Sequence, residues 1–259
     1  MATARINGID LYYEVHGEGP PLVLSHGVGS NHLHWWQQIP ALQKTFKVVT
    51  FDHRGFGFST DDGRGPQAFA DDLAALIDHL GFESVFLAGQ SMGGVTAMSY
   101  ATRFPERVRA LALSCSGGGV VPVHHAPTMK GALEKSPDYL SFARLSIDQD
   151  DFRRRRPAAC FLFEQLGQLN RDVNLRILTG MRQLKNDIGP LVAAGTPVLL
   201  IGGEDDNGVN PSMRELQKMI PGARFELVTD AGHLLFFERP EVYNHLLESF
   251  FCQQMKQDV

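Results

Sequence analysis

Short apolar runs alternate along this chain with longer stretches whose apolar residues fall at helical spacing. Residues 9–16 form the first run that predicts a strand, and the Gly17-Glu18-Gly19-Pro20 cluster behind it predicts a turn. Residues 21–26 are almost continuously apolar, as expected of a strand covered on both faces. The pattern recurs at 46–52, 84–89, 108–115 and 197–202, with 223–228 as a last strand. Between these runs, Phe69, Leu73, Leu76, Ile77 and Leu80 share one helix face, and Gly81 supplies a stop. Such alternation predicts βαβ units and a mostly parallel sheet with helices on both faces. The chain opens on consecutive strands, so the sheet is expected to be mixed at that end.

From about residue 119 to residue 190 the rhythm changes. Strand-like runs disappear, and Arg, Gln, Leu and Met recur at helix-like intervals through 150–185. Strand chemistry returns at Pro197. This predicts a helical insertion that enters where strand C-termini, and hence a ligand crevice, are expected. The 259 residues fit one catalytic domain with an inserted subdomain. The expected division is a core of residues 1–118 and 191–259 with an insertion of 119–190.

Composition narrows the partners. With 43% hydrophobic and 20% charged residues the chain belongs among soluble globular proteins. A net charge of −5 without any long charged block argues against nucleic acid as a partner. The run Arg153 to Arg156 is expected to form a solvated helix face, with docking of a substrate carboxylate as the alternative. Cys115, Cys160 and Cys252 match neither a disulfide framework nor a zinc pattern, and Cys115 is expected to be a buried structural thiol. No apolar signal core or membrane-length stretch is evident, so a cytoplasmic protein without a membrane partner is expected.

The strongest chemical signal is Gly89-Gln90-Ser91-Met92-Gly93, a G-x-S-x-G pentapeptide between a buried strand and a helix-compatible run. A sharp strand-to-helix turn holds its serine in a strained backbone conformation that only small flanking residues permit. Ser91 is therefore the expected nucleophile, and a serine hydroxyl needs a base. Most of the ten histidines have simpler roles: His79 and His245 lie in helical stretches, while His124 and His125 begin the insertion. His233 follows the last strand within Asp230-Ala231-Gly232-His233, with Leu234-Leu235-Phe236-Phe237 to anchor the turn. The chain order Ser, acid, His directs attention to Gly202-Gly203-Glu204-Asp205-Asp206. Asp206 is the preferred acid and Asp205 the alternative, since adjacent side chains diverge. The N–H of Met92 and that of Val28, in the His26-Gly27-Val28-Gly29 loop, are the candidate oxyanion donors.

These segments, together with Asp52-His53-Arg54-Gly55-Phe56-Gly57-Phe58-Ser59, resemble the α/β-hydrolase family from near the N-terminus through Phe250, excluding the insertion. The resemblance implies the α/β-hydrolase fold, with a mostly parallel eight-stranded sheet. It also implies a triad of Ser91, His233 and Asp206, an oxyanion hole at Val28 and Met92, and a helical cap at 119–190. Many family members place a proline soon after the acid, whereas Asn207-Gly208-Val209-Asn210 here precedes Pro211. Within the family, residues 24–31 and 37–42 look most like 3-oxoadipate enol-lactonases and related small esterases. The implied reaction is hydrolysis of a small-molecule ester or lactone, with neither cofactor nor metal. Epoxide hydrolases and haloalkane dehalogenases are set aside because they carry aspartate where Ser91 stands. Carbon–carbon hydrolases usually have a tryptophan just after the histidine, and residues 234–237 contain none. Carbon–carbon hydrolases nevertheless stay as alternatives on the same triad, together with cofactor-free haloperoxidases or perhydrolases and slow-turnover ligand receptors. Phe161, Leu162, Phe163 and Leu166 are expected either to line an apolar pocket or to pack the insertion onto the core.

Overall fold

The computed structural model describes residues 2–121, 149–170, 173–174, 176–181 and 183–256. Eight strands form one sheet in the order β1-β2-β4-β3-β5-β6-β7-β8. They are β1 (Ala2–Ile6), β2 (Ile9–His16), β3 (Pro21–Ser25), β4 (Lys47–Phe51), β5 (Val85–Gln90), β6 (Val108–Ser114), β7 (Val198–Gly203) and β8 (Arg224–Val228). The pairings β1–β2 and β2–β4 are antiparallel and the other five are parallel. The mixed edge predicted from consecutive early strands is therefore present. The hydrophobic pattern does not name β1 because only its Ala4 and Ile6 face inward. Its hairpin is closed by Asn7-Gly8, both at positive φ (47° and 85°), the backbone that a right-twisted two-residue turn requires.

The near-continuous apolar strands are explained by two cores, one on each face. In β5, Val85 and Leu87 enter one core while Phe86 and Ala88 enter the other; β7 divides Val198 and Leu200 from Leu199 and Ile201 in the same way. The helices are α1 (Ile39–Leu42), α2 (Phe69–His79), α3 (Met92–Arg103), α4 (Gln149–Arg155), α5 (Pro157–Gly167), α6 (Arg176–Met181), α7 (Gly189–Ala194), α8 (Asn210–Met219), α9 (Leu235–Glu238) and α10 (Pro240–Met255). The first core is closed by α2, α3, α7 and α8, and the second by α1, α9 and α10. In α2 the predicted face Phe69, Leu73, Leu76 and Ile77 is buried, and Gly81 follows at φ 69°. Between β6 and β7 the described residues contain helices and no strand; His124 and His125 lie outside the described residues. Among the described residues no helix is long and apolar enough to cross a membrane.

Six strands run parallel, β4 and then β3, β5, β6, β7 and β8 across the sheet, so the loops after them gather at one carboxyl edge. Every residue expected to carry chemistry lies on one of them.

Candidate active site

Ser91 stands between β5 and α3 at φ 51° and ψ −114°, a conformation that costs a non-glycine residue roughly 1–3 kcal/mol. Hydrogen bonds hold the turn: Ser91 N–H donates to the Ser114 carbonyl (2.9 Å), and the Ser91 carbonyl accepts from Gly94 N–H (3.0 Å) and Ser116 Oγ (2.8 Å). The flanking glycines are steric necessities. A Cβ on Gly93 would lie 2.0 Å from the Ser25 carbonyl oxygen, and one on Gly89 would lie 2.4 Å from that of Gly93. The pentapeptide is thus written by backbone crowding against β3 and within the turn itself.

His233 reaches Ser91 and Asp206 together: Nε2 lies 3.0 Å from Ser91 Oγ, and Nδ1 lies 2.8 Å from Asp206 Oδ2. Asp206 is buried, at the end of a turn in which its N–H donates to Gly203 and its carbonyl accepts from Asn210. Asp205 points away, its carboxylate half exposed and paired with Arg155 at 2.9 Å. Burial lowers the pKa of His233, but the charge of Asp206, its hydrogen bond and the charge of Glu238 outweigh that and hold the imidazole above its ordinary value. Two residues that sequence reasoning passed over fix the histidine loop. Gln90 Nε2 donates to the His233 carbonyl (3.2 Å), and Glu238 Oε1 accepts from Gly232 N–H (2.9 Å). The signals were there: Gln90 is the unremarked second residue of the pentapeptide, and Glu238 is a lone acid ending an apolar run.

Met92 is the first residue of α3, directly after Ser91, so its N–H has no partner one turn back along the helix. Val28 lies in the loop after β3. The carbonyls of Ser25 and His26 approach Gly93 so closely that this loop abuts the serine turn directly. Its shape is held by Ser30 N–H to Gly27 (3.2 Å), by His26 Nδ1 to Gly27 (2.9 Å) and by His53 N–H to His26 Nε2 (3.0 Å). Burial pushes His26 down to about 4, so the ring is neutral, with its proton on Nδ1.

The Asp52-to-Ser59 stretch is structural. Arg54 is fully buried and grips Asp72 of α2 through Nε (2.6 Å) and Nη2 (2.7 Å). Asp52 accepts from His32 N–H (2.7 Å) and Phe58 N–H (2.9 Å) and so shapes the loop. The arginine run divides: Arg153 and Arg154 lie on the expected solvated face, pairing at the surface with Glu164 and Asp151, and Arg156 meets Asp230 at the surface, whereas Arg155 is mostly buried between Glu238 and Asp205. Phe163 is buried in the second core with Leu162 and Leu166 packed against that core, whereas Phe161 faces solvent.

Cys115, buried as expected, brings its sulfur within 4.8 Å of ligand atoms of Asp206 and His233. That trio could in principle hold a metal. However, Asp206 and His233 are already hydrogen-bonded to each other, and burial together with the Asp206 charge pushes the thiol far up. The donors are committed to each other.

Known proteins resemble this chain along almost its whole length. A Caulobacter sp. (strain K31) protein provisionally named carbamate hydrolase RutD is 36% identical over 96% of this chain and 98% of its own. The crystal structure of the enol-lactonase from Burkholderia xenovorans LB400 superposes with a TM-score of 0.79 at 26% identity, covering 97% of this chain and 100% of that one. A thermophilic esterase from Thermogutta terrifontis gives 0.83 at 26% identity, covering 97% of both. The family described as the alpha/beta hydrolase fold matches residues 20–184. That span takes in the serine turn and both loops beside it, and it is well over half of the 259 residues; the chain belongs to the α/β hydrolase fold family.

Proposed function

We propose that the protein is a serine hydrolase that cleaves a carboxylic ester or lactone of a small molecule through an acyl-enzyme. The observation that carries the reading is the hydrogen-bonded line Asp206–His233–Ser91, at 2.8 and 3.0 Å, ending on a serine with a strained backbone. A nucleophile bonded to a base, and a base bonded to an acid that orients it, is the arrangement acyl transfer needs.

In this mechanism Asp206 holds the proton of His233 on Nδ1 and leaves Nε2 free to accept. Ser91 Oγ attacks the substrate carbonyl carbon while its proton passes to Nε2. The carbonyl oxygen becomes an oxyanion that the N–H groups of Val28 and Met92 receive. Collapse breaks the acyl C–O bond, and the leaving alkoxide takes the proton from His233. In a lactone that alcohol stays attached to the acyl group. Water then gives a proton to His233 and attacks the acyl carbon, and Ser91 leaves with its proton restored. No step calls for a metal or an organic cofactor.

Residues 119–190 are the cap in this reading. The hydrogen bonds from Asn31 to Leu166 (2.9 Å) and from Asn170 to Ser30 (3.1 Å) support it, because they seat inserted residues directly on the Val28 loop. A cytoplasmic site of action fits three cysteines that are all free. Relatives named for enol-lactone and ester chemistry support the substrate class. The test is hydrolysis of a short-chain p-nitrophenyl ester and lactone panel by wild type and Ser91→Ala, both confirmed folded. Turnover that scales with wild-type protein and vanishes in the variant is the expected result. Equal turnover by the variant removes Ser91 as nucleophile.

A further inference from the structure

We propose that Arg155 is a positioning residue for the triad, a guanidinium clamp that ties the acid-bearing and histidine-bearing loops to the inserted helices. The inference rests on the reading of Ser91, His233 and Asp206 as that triad. Arg155 is the last residue of α4, well outside the core strands. Its Nη1 donates to Asp205 Oδ2 (2.9 Å), while Nε (3.0 Å) and Nη2 (2.9 Å) both reach Glu238 Oε2. Each carboxylate is one step from a triad member. Asp205 adjoins Asp206, and its N–H donates to the Ala231 carbonyl (3.0 Å) in the histidine loop. Glu238 uses its other oxygen to accept the N–H of Gly232, the residue before His233.

Arginine suits this position. One flat fork with several donors can span two carboxylates at fixed geometry, which a lysine ammonium cannot do. The charge is also required. The Glu238 side chain is only 1% exposed, and a carboxylate so deeply buried needs a cationic partner. Arg156 and Arg239 do not serve it, since both reach Asp230 on the outer side of the histidine loop. A Cβ on Gly232 would stand 3.0 Å from Arg155 Nη2, so guanidinium and loop backbone are in direct apposition.

The charged and titratable groups around the His233 ring are Asp206 after β7, Cys115 after β6, Glu238 on α9 and Arg155 on α4. The Glu238 charge favours the imidazolium, and the Arg155 guanidinium, held against that carboxylate at 2.9 Å, counters the Glu238 charge in this proposal. Removing Arg155 therefore loosens both loops and also raises the His233 pKa. Removing the charge of Glu238 lowers that pKa. A residue serving stability alone would lower the melting temperature and leave the base unmoved.

The experiment compares wild type, Arg155→Met, Arg155→Lys, Glu238→Gln and the Arg155→Met/Glu238→Gln double variant. p-Nitrophenyl acetate is the substrate, and NMR titration of labelled histidine reads the base directly, with His233 identified by its loss in His233→Asn. For Arg155→Met we expect kcat to fall roughly 10- to 100-fold, as for about an ångström of misplacement, with KM changed far less. The acid limb of kcat/KM and the NMR titration of His233 should both move to higher pH, and Glu238→Gln should move them lower. Arg155→Lys should recover part of kcat, and the double variant should lose less than the product of the single losses. Arg155→Met with wild-type kcat and an unmoved titration overturns the proposal. If Arg155→Met does not fold, Arg155→Lys and Glu238→Gln decide by the same two readouts. Activity retained by Ser91→Ala would instead sink the triad reading, and the NMR shift would still judge the clamp on its own.

Discussion

Replacing Gly93 by alanine adds a single methyl group where the structure has no room for it. The new Cβ would stand 2.0 Å from the Ser25 carbonyl oxygen and 2.6 Å from that of His26, against an ordinary contact of 3.4 Å or more. The deficit is about 1.4 Å, and rotamer changes cannot relieve it because both obstacles are backbone. Ser25 cannot retreat freely either, since it is paired with Gly89 in the β3–β5 ladder. The strain therefore falls on the serine turn, the part of the neighbourhood that has to be placed most accurately. Overpacking of this kind costs about 1–3 kcal/mol. At this chain length about 2 kcal/mol lowers the melting temperature by roughly 4–8 °C. A displacement near 1 Å between nucleophile and oxyanion donors costs on the order of 100-fold in kcat. Gly222→Ala is the matched control: its φ is 77° but nothing lies within 4 Å of the added Cβ. It should lose about 1–2 kcal/mol of stability, the general cost of a left-handed alanine, and keep full activity. Thermal melts and initial rates on p-nitrophenyl acetate for both variants complete the test. Gly93→Ala with wild-type melting and wild-type kcat would refute the view that backbone crowding writes the pentapeptide.

Asp206→Asn should lower kcat about 10⁴-fold by releasing the tautomer of His233, whereas Asp205→Asn should cost less than about tenfold; a reversed order in steady-state rates would exchange the two roles. Arg54→Met strands the buried Asp72 carboxylate and should cost about 3–5 kcal/mol in denaturant titration, with Arg54→Met/Asp72→Leu recovering much of it. Because Asp206 and Glu238 hold His233 above the usual 6.5, the acid limb of kcat/KM should lie above that pH, and a limb well below it contradicts the assignment of the base. Stability follows the opposite rule at other histidines. Burial holds His26 at about 4 and His34 at about 3, so below pH 6.5 the unfolded chain takes up protons that the folded chain refuses. Each should remove about 2 kcal/mol of stability by pH 5, and a urea midpoint that does not fall between pH 7 and pH 5 speaks against this.

Much of the fold was legible because its strongest constraints are local. Strands buried on both faces show as unbroken apolar runs, and the α2 face shows as four buried residues at helical spacing. The serine turn was legible for a related reason: the crowding that selects Gly89 and Gly93 arises from neighbours at fixed offsets in the turn and from the adjacent strand. β1 was invisible to the same pattern, since two inward residues do not make a periodicity. The choice between Asp205 and Asp206 could not be settled by order alone. It depends on which side chain faces the histidine loop and on a partner for the other, and that partner, Arg155, lies 50 positions away.

The arginine run shows why charge is harder to read than hydrophobicity. A buried leucine needs only an apolar surrounding, so its fate follows from its own face of a helix. An arginine is solvated or clamped according to whether a carboxylate stands opposite, and the partners of Arg155 and Arg156 lie 50 to 83 residues distant in the chain. The two sides of the site are tied to the insertion by different chemistry as a result. On the side of the Val28 loop the links are neutral: His34, kept uncharged by burial, donates to the Phe163 carbonyl (3.1 Å), and Asn31 donates to that of Leu166 (2.9 Å). On the histidine side they are ion pairs among Arg155, Arg156, Glu238, Asp205 and Asp230. Salt can therefore act on the histidine side, where the links are ion pairs, without acting directly on the neutral links of the Val28 loop.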